Sequence, residues 1–445
     1  MKYLFSLILF TAAFSVQAQE PVQWDLKSCV EYAIQHNISV QQADVSARLA
    51  KLQADLASSN RLPTINGTTG MGMRFGRSID PTTNGFSSTQ FLYNNFGLNG
   101  GIQLYNAGKL KNNAAATNLS WYASEADKLT IANDISLNVA TYYLQILSAI
   151  EQSEIAKIQI QQTKEQLAAT GKRVEVGLLP ELNLLELETQ LANDSSNYIN
   201  AISSVQQSKL NMMALLNLDA AKPFEILAQP VDQIKLQTFA DLQPDYVFNV
   251  ATQNMPNIKA ATLRVQAAEK NSLAAKAGFY PSLSFGYNLT SNFSNQSKDW
   301  ANVWNGWNTQ VNNNFGQNVG FQMSIPLFNG NQSKINYRQS KLNLSNVKLQ
   351  ADNTQLKLKQ DIYSAYTNAI VAFNKLNAAQ KALTSSEKTY QFATKRYELG
   401  LLGTIELLSN QNNYLKAKVN FKTAQYEYVF RIKLLEFYKG EALTL

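Results

Sequence analysis

The sequence predicts an α+β membrane protein of two unlike parts: long coiled-coil helices, and short amphipathic strands that several chains pool into one transmembrane β-barrel. Three observations predict it. The chain carries one structural unit twice, each unit holds a helix of more than 60 residues without an internal breaker, and each holds two alternating strands whose apolar face no helix can cover.

The first element is a leader. In "MKYLFSLILFTAAFSVQAQE" a positive Lys2 precedes an apolar stretch from Leu4 to Phe14 and a small-residue site, so residues 1–18 read as a signal peptide cleaved after Ala18. No later stretch approaches the 18 or so apolar residues of a spanning helix. The single Cys29 excludes an intramolecular disulfide and reads as a small buried hydrophobe in "WDLKSCVEYAIQHN". Charged residues make up 16%, and the formal charge of +7 is spread out, with no basic run interleaved with aromatics to suggest nucleic acid. No phosphate loop, metal-spaced cluster or nucleophile motif appears, and the lone His36 cannot build a triad or a metal site. No enzyme activity and no cofactor are expected.

The duplication organises the rest. "IQHNISVQQADVSARLAKLQADLASSNRLPTI" aligns at an offset of 218 with "TQNMPNIKAATLRVQAAEKNSLAAKAGFYPSL", bringing Pro63 onto Pro281. At an offset of 223, "LYNAG" meets "LFNGN" and "KRVEVGLLPELNLLE" meets "KRYELGLLGTIELLS". The repeats are residues 19–230 and 231–445. Each opens with a helical segment (24–60; 242–279) and then has two strands (about 64–76 and 97–106; about 282–290 and 318–328). A long helix (109–176; 331–399), a Gly-Leu-Leu turn and a return helix (181–218; 404–439) complete it. Neither Gly nor Pro interrupts Lys109–Thr170 or Asn331–Leu399, and at 1.5 Å per residue such helices reach about 100 Å, the scale of bundles and coiled coils. Ile131, Ile135, Val139, Tyr142, Ile146 and Ile150, and later Tyr363, Tyr366, Ile370 and Phe373, step by three and four as narrow seams. Between the repeats, a stretch with Pro223, Pro230 and Pro244 reads as an irregular belt.

The strands alternate cleanly. Ile65, Met71, Met73 and Phe75, then Leu98, Ile102 and Leu104, then Leu283, Phe285, Tyr287 and Leu289, then Val319, Phe321 and Met323 are each interleaved with Asn, Ser, Thr, Gln or Gly. Polar loops, "RSIDPTTNGFSS" and "SNQSKDWANVWNGWNTQVNNNFG", join each pair; Trp300, Trp304 and Trp307 in the second read as loop packing or an interfacial girdle rather than a ligand contact. The helices are too long to lie on strands of this length, so lipid is the partner of the oily face. Four strands cannot close a barrel, and an open edge cannot sit in hydrocarbon. Two chains would give a filled eight-strand barrel, whereas three give twelve strands and an open bore.

The order of elements, the duplication, the Pro at each helix-to-strand entry and above all "RVEVGLLPELNLLE" and "RYELGLLGTIELLS" resemble the TolC-like outer-membrane efflux protein family. "GRSIDPTTNGF" is similar to the first surface loop of its Bacteroidota members. The resemblance implies a homotrimer with a 12-strand barrel in the outer membrane and an α-helical tunnel in the periplasm. It implies an exit duct for a tripartite efflux or type I secretion system, fed by an inner-membrane pump through a periplasmic adaptor. It makes Gly177-Leu178-Leu179 and Gly400-Leu401-Leu402 the periplasmic tip, where the channel closes and the adaptor docks. The family's paired pore acids fall on Glu406 and Ser409 in one repeat and on Asn183 and Glu186 in the other, so the acidic constriction is half kept. A charged residue that ties the closed tip in some members is replaced here by Leu179 and Leu402. The alternative is a barrel-anchored trimeric stalk or adhesin without transport; it does not need two reversing hairpins in one chain.

Overall fold

The computed structural model describes residues 23–79, 84–227, 236–297 and 303–441, so the leader, Pro230 and Trp300 lie outside the described residues. In order, the elements are β1 (Gln23–Trp24), α1 (Leu26–His36), α2 (Ile38–Ser59), β2 (Thr64–Ile79), β3 (Phe86–Tyr105), α3 (Lys109–Glu175), α4 (Glu181–Leu215) and β4 (Glu225–Ile226). The second half has α5 (Pro244–Asn254), α6 (Pro256–Lys276), β5 (Ser282–Ser294), α7 (Trp307–Asn313), β6 (Gly316–Ser324), α8 (Gln332–Glu398) and α9 (Thr404–Tyr438). The chain divides into two compact units: Met1–Gln41, Ile131–Ala251 and Gln360–Leu445, and Gln42–Thr130 with Thr252–Lys359.

The leading helical segment of each repeat is broken rather than continuous, at equivalent places and by different chemistry. Asn37 leaves the helix at ψ 130°. Its Oδ1 accepts from the Ser39 amide at 2.8 Å and its Nδ2 donates to the Leu215 carbonyl at 2.8 Å, so one side chain caps α2 and ties it to the end of α4. The second break falls at Met255, where Pro256 starts α6 in the first-turn position that needs no amide hydrogen. Asp25 caps α1 through the Ser28 amide at 2.7 Å, and that hydrogen bond lowers the Asp25 carboxyl below its ordinary range.

In the first unit, a core cluster gathers α1, α3, the end of α4, β4 and α9. Cys29, Ala33, Val139, Tyr143, Ile146, Leu147, Met212 and Leu216 are buried together with Tyr426 and Val429. Burial pushes the Cys29 thiol up to about 12, so it is an inert apolar group. Ile135, Val139 and Ile146 of the expected α3 seam are buried, with Ile131, Tyr142 and Ile150 packed against them. The α8 seam differs from expectation. Leu358, Ile362, Ala365, Ala369 and Ala372 are buried, while Tyr363, Ile370 and Phe373 are each more than a third exposed. Small residues bring helices close on the buried side; of the expected seam, Tyr366 packs against the cluster of Ala365 and Ala369, and Phe373 meets Phe239 and Tyr428 with ring centroids 5.7 and 5.6 Å apart.

The second unit carries an antiparallel sheet in the order β2-β3-β5-β6. Its first hairpin is longer than the alternation suggested. β2 runs to Ile79 and β3 starts at Phe86 rather than near 97, because Gln90 to Phe86 pair with Phe75 to Ile79 and extend the ladder through polar sequence. β5 gains four residues, to Ser294, and β6 stops at Ser324, before Pro326, which has no amide hydrogen to give a ladder. Each strand-to-helix corner uses two consecutive left-handed residues, Ala107 and Gly108 (φ 50° and 78°) in one repeat and Gly330 and Asn331 (φ 63° and 65°) in the other.

Candidate functional site

Register decides which strand residues share a face. Leu98 pairs with Gly67 and with Leu289, Ile102 with Phe285, and Phe285 with Phe321, so the apolar residues of all four strands lie on one side. Met71 and Phe321 are each 71% exposed there, left uncovered by the described residues of the unit. Gly100 has no alternative on this face, since a Cβ would stand 2.1 Å from the Thr64 carbonyl oxygen and 2.7 Å from the Tyr287 hydroxyl. On the opposite face Asn66, Asn99, Asn288 and Asn318 fall in one register row across the sheet, flanked by Thr68, Gly97, Thr290 and Gly316. This amide row escapes sequence reading because each Asn is one polar letter in its own strand, and only pairing aligns them.

Both layers of the unit end in open edges. β2 and β6 present one side each without a strand partner among the described residues. Among the helices, Asp44 of α2 pairs with Lys128 of α3 at 2.6 Å, Asp127 of α3 with Arg264 of α6, and Glu269 of α6 with Lys348 of α8 at 3.5 Å. The Lys128 hydrogen bond holds the Asp44 carboxyl below the usual carboxylate range. That order leaves α2 and α8 outermost, and both carry uncovered apolar seams. Val45, Leu49, Leu52 and Leu56 on α2, and Ile335, Leu342, Leu349 and Leu356 on α8, are all more than half exposed. The α8 residues recur every seven positions, the coiled-coil period.

The helix turns of the first unit are built alike. The Gly177 amide donates to the Val174 carbonyl at 2.9 Å and the Leu178 amide to the Arg173 carbonyl at 2.8 Å; Gly400 and Leu401 repeat this with Tyr397 and Arg396 at 3.0 and 2.8 Å. With φ of 75° and 72°, both glycines occupy the left-handed position of a Schellman cap. Leu178 and Leu401 project into solvent at 73% and 64% exposure. Leu402 instead packs against the cluster of Ala393, Tyr397 and Leu407, and Leu179 is half-buried. Past the turns, Asn183 and Glu186 are half-buried on α4, and Glu406 and Ser409 are exposed on α9.

Above the turns a polar ladder, not anticipated from the sequence, joins the two long helices. Gln166 Nε2 donates to the Tyr390 hydroxyl at 3.0 Å, the Thr170 and Tyr397 hydroxyls share a hydrogen bond of 2.9 Å, and Arg173 donates to the Tyr397 carbonyl at 3.4 Å. One turn further up, buried Asp194 of α4 accepts from Thr163 at 2.6 Å, Gln190 at 2.7 Å and Gln159 at 3.3 Å. The signal was present: Gln159, Thr163, Gln166 and Thr170 continue the four-three spacing of an apolar seam in polar letters. His36 stacks on Tyr32 at the exposed end of α1, with its Nδ1 3.0 Å from the Tyr32 carbonyl. Trp307 packs edge-on against Phe96 with ring centroids 5.9 Å apart.

A family model described as "Outer membrane efflux protein" matches the chain twice, over residues 29–218 and 247–436. The Cation efflux system protein CusC of Escherichia coli O157:H7 is 25% identical over 394 residues, covering 87% of this chain and 80% of the relative. Among solved structures, a crystal structure of CusC superposes with a TM-score of 0.80 at 20% identity, over 95% of this chain and 93% of that one. The outer membrane protein VceC of Vibrio cholerae does so at 0.78 and 19% identity, over 94% and 96%.

Proposed function

We propose, since the chain belongs to the outer membrane efflux protein family, that three copies of it close into the exit duct of a tripartite efflux or type I secretion system. The protein is an outer-membrane efflux channel. The observation that carries the trimeric reading is the coincidence of open edges: the unpaired sides of β2 and β6 and the exposed seams of α2 and α8 end the same unit on both flanks. Joining β6 of one copy to β2 of the next satisfies the backbone groups that hydrocarbon cannot, and three copies of four strands give twelve. The α8 and α2 seams meet in the same step, with their leucines interdigitating as in a coiled coil.

The oily face then meets lipid, and the Asn row, with its Thr and Gly neighbours, lines a neutral wet lumen. The duct is passive, and its energy comes from an inner-membrane pump coupled through a periplasmic adaptor. The exposed Leu178 and Leu401, held out by their glycine caps, offer that adaptor an apolar docking pair, while Asn183, Glu186, Glu406 and Ser409 line the constriction just inside. Single-channel recording in a planar bilayer tests this reading. The purified protein is expected to insert as a trimer and conduct, with larger steps once the tip is loosened by substitution. A trimer that passes no ions even then is a stalk.

A further inference from the structure

The loop between β5 and β6 does more than cross the strand ends. Its helix α7 is folded down onto the oily face of the sheet: Trp307 meets Phe96, and the Ser291 hydroxyl donates to the Val311 carbonyl at 2.6 Å. Phe96 and Ser291 share that face with Leu98 and Leu289 by register. Buried Gln310 pins the helix there, donating to the Ser294 and Asn305 carbonyls at 2.8 and 2.7 Å and accepting from the Ser294 amide at 2.9 Å. Asn314 adds a bond of 2.9 Å to the Asn292 carbonyl. A polar clamp therefore holds a Trp-bearing helix against a surface that otherwise faces hydrocarbon.

Below α7 the face is hollow. A groove of about 410 Å³, within the range of ligand pockets, is walled by Phe96, Leu98, Leu289 and Phe315 and floored at Gly67, where a Cβ would meet nothing within 4 Å. Nine to twelve residues separate Ser282 from the α7 contacts at Ser291 and Ser294. At about 3.3 Å per residue and a tilt of about 40°, α7 lies roughly 25 Å above the helix end of the sheet, at the far border of an apolar band of about that height. Trp304 and Trp307, each about half exposed, sit where indole rings prefer to be.

We propose that this groove holds one acyl chain of an outer-leaflet glycolipid, with α7 as its interfacial clamp. The inference rests on the reading that the oily face meets lipid. The groove is continuous with that face, so lipid is the medium that fills it, and its depth assigns the chain to the outer leaflet.

Native mass spectrometry of the full-length protein, extracted from outer membranes and exchanged into lipid-free detergent, tests it. The wild type is expected to keep up to one glycolipid per chain. Gly67→Leu, whose Cβ has open space and whose side chain would occupy the floor, is expected to lower retention about tenfold, the factor for roughly two methylenes losing their contacts. Gly320→Leu, on the opposite face and with equally open space at its Cβ, is expected to keep it. Trimers without lipid, equal retention by Gly67→Leu, equal loss by Gly320→Leu, or retention of phospholipid in place of glycolipid would each overturn the proposal. A monomer carrying glycolipid would uphold the groove and sink the trimeric reading instead, so the two failures are told apart.

Discussion

α3 and α8 are repeat-mates of 67 residues each, yet they live in different surroundings. α3 is an inner helix. Its Ile135, Val139, Tyr143, Ile146 and Leu147 are buried within the chain's own core, against α1, α4 and α9. In the second unit α8 is an edge helix, and there Ile335, Leu342, Leu349 and Leu356 face outward at a period of seven. Duplication kept length, corners and the buried seam, since Leu358, Ile362, Ala365 and Ala369 of α8 are buried at the repeat positions of Ile135, Val139, Tyr142 and Ile146. The stretch of α8 in the second unit, by contrast, carries an apolar seam that its own unit leaves exposed. An apolar seam thus reports that something must cover it, and only its place in the fold says what.

The sharpest way to break the comparison is to charge the α8 seam. Leu342→Asp with Leu349→Asp removes about 1.5–3 kcal/mol of burial per side chain and puts charge in its place. Heat-dissociable trimers are expected to disappear from outer-membrane extracts, and a surviving trimer would show that this seam faces solvent. Leu147→Ala makes the opposite cut. It is expected to cost about 2–5 kcal/mol, read as a lower thermal midpoint of the helical signal, with the trimer still formed at low temperature.

The turns separate fold from function on a smaller scale. Gly400→Val forces a branched residue into a left-handed φ at about 1–2 kcal/mol, so export is expected to fall while the barrel still assembles. Unchanged efflux would remove both the cap and the docking role. Glu186→Gln with Glu406→Gln keeps size and removes charge: the preference for cations over anions and the block by divalent cations are both expected to weaken, as measured by reversal potential and current. Selectivity that does not move would place these acids on an outer face. The mildest change is Ala107→Gly. Its repeat-mate is already Gly330, and relief of a left-handed alanine is expected to raise stability by about 1 kcal/mol, visible as a small increase in thermal midpoint.

Much of the architecture was legible because it is local. Pro63 and Pro281 mark where helix gives way to strand, Gly177 and Gly400 mark where a chain reverses, and freedom from breakers announces two long helices, all through backbone geometry that acts over a few residues. Strict alternation showed that each strand has an oily side, since period two is a property of the strand itself. The sequence alone therefore determined the duplication, the element order and the need for a partner across the strands.

Tertiary structure decided the rest, for a common reason: pairing is not local. Phe86 and the polar residues 87–90 became strand because β2 lay opposite to pair with their backbone. Four asparagines from four strands became one row only when the registers were set. Tyr363, Ile370 and Phe373 fit a seam by spacing, but alanines one register back took the buried side because they let neighbouring helices approach more closely. A loop of Trp and Asn became a clamp on the oily face once Gln310 found the Ser294 backbone. Periodicity measures how wide a face is, whereas what that face meets depends on residues tens to hundreds of positions away, brought into contact by folding.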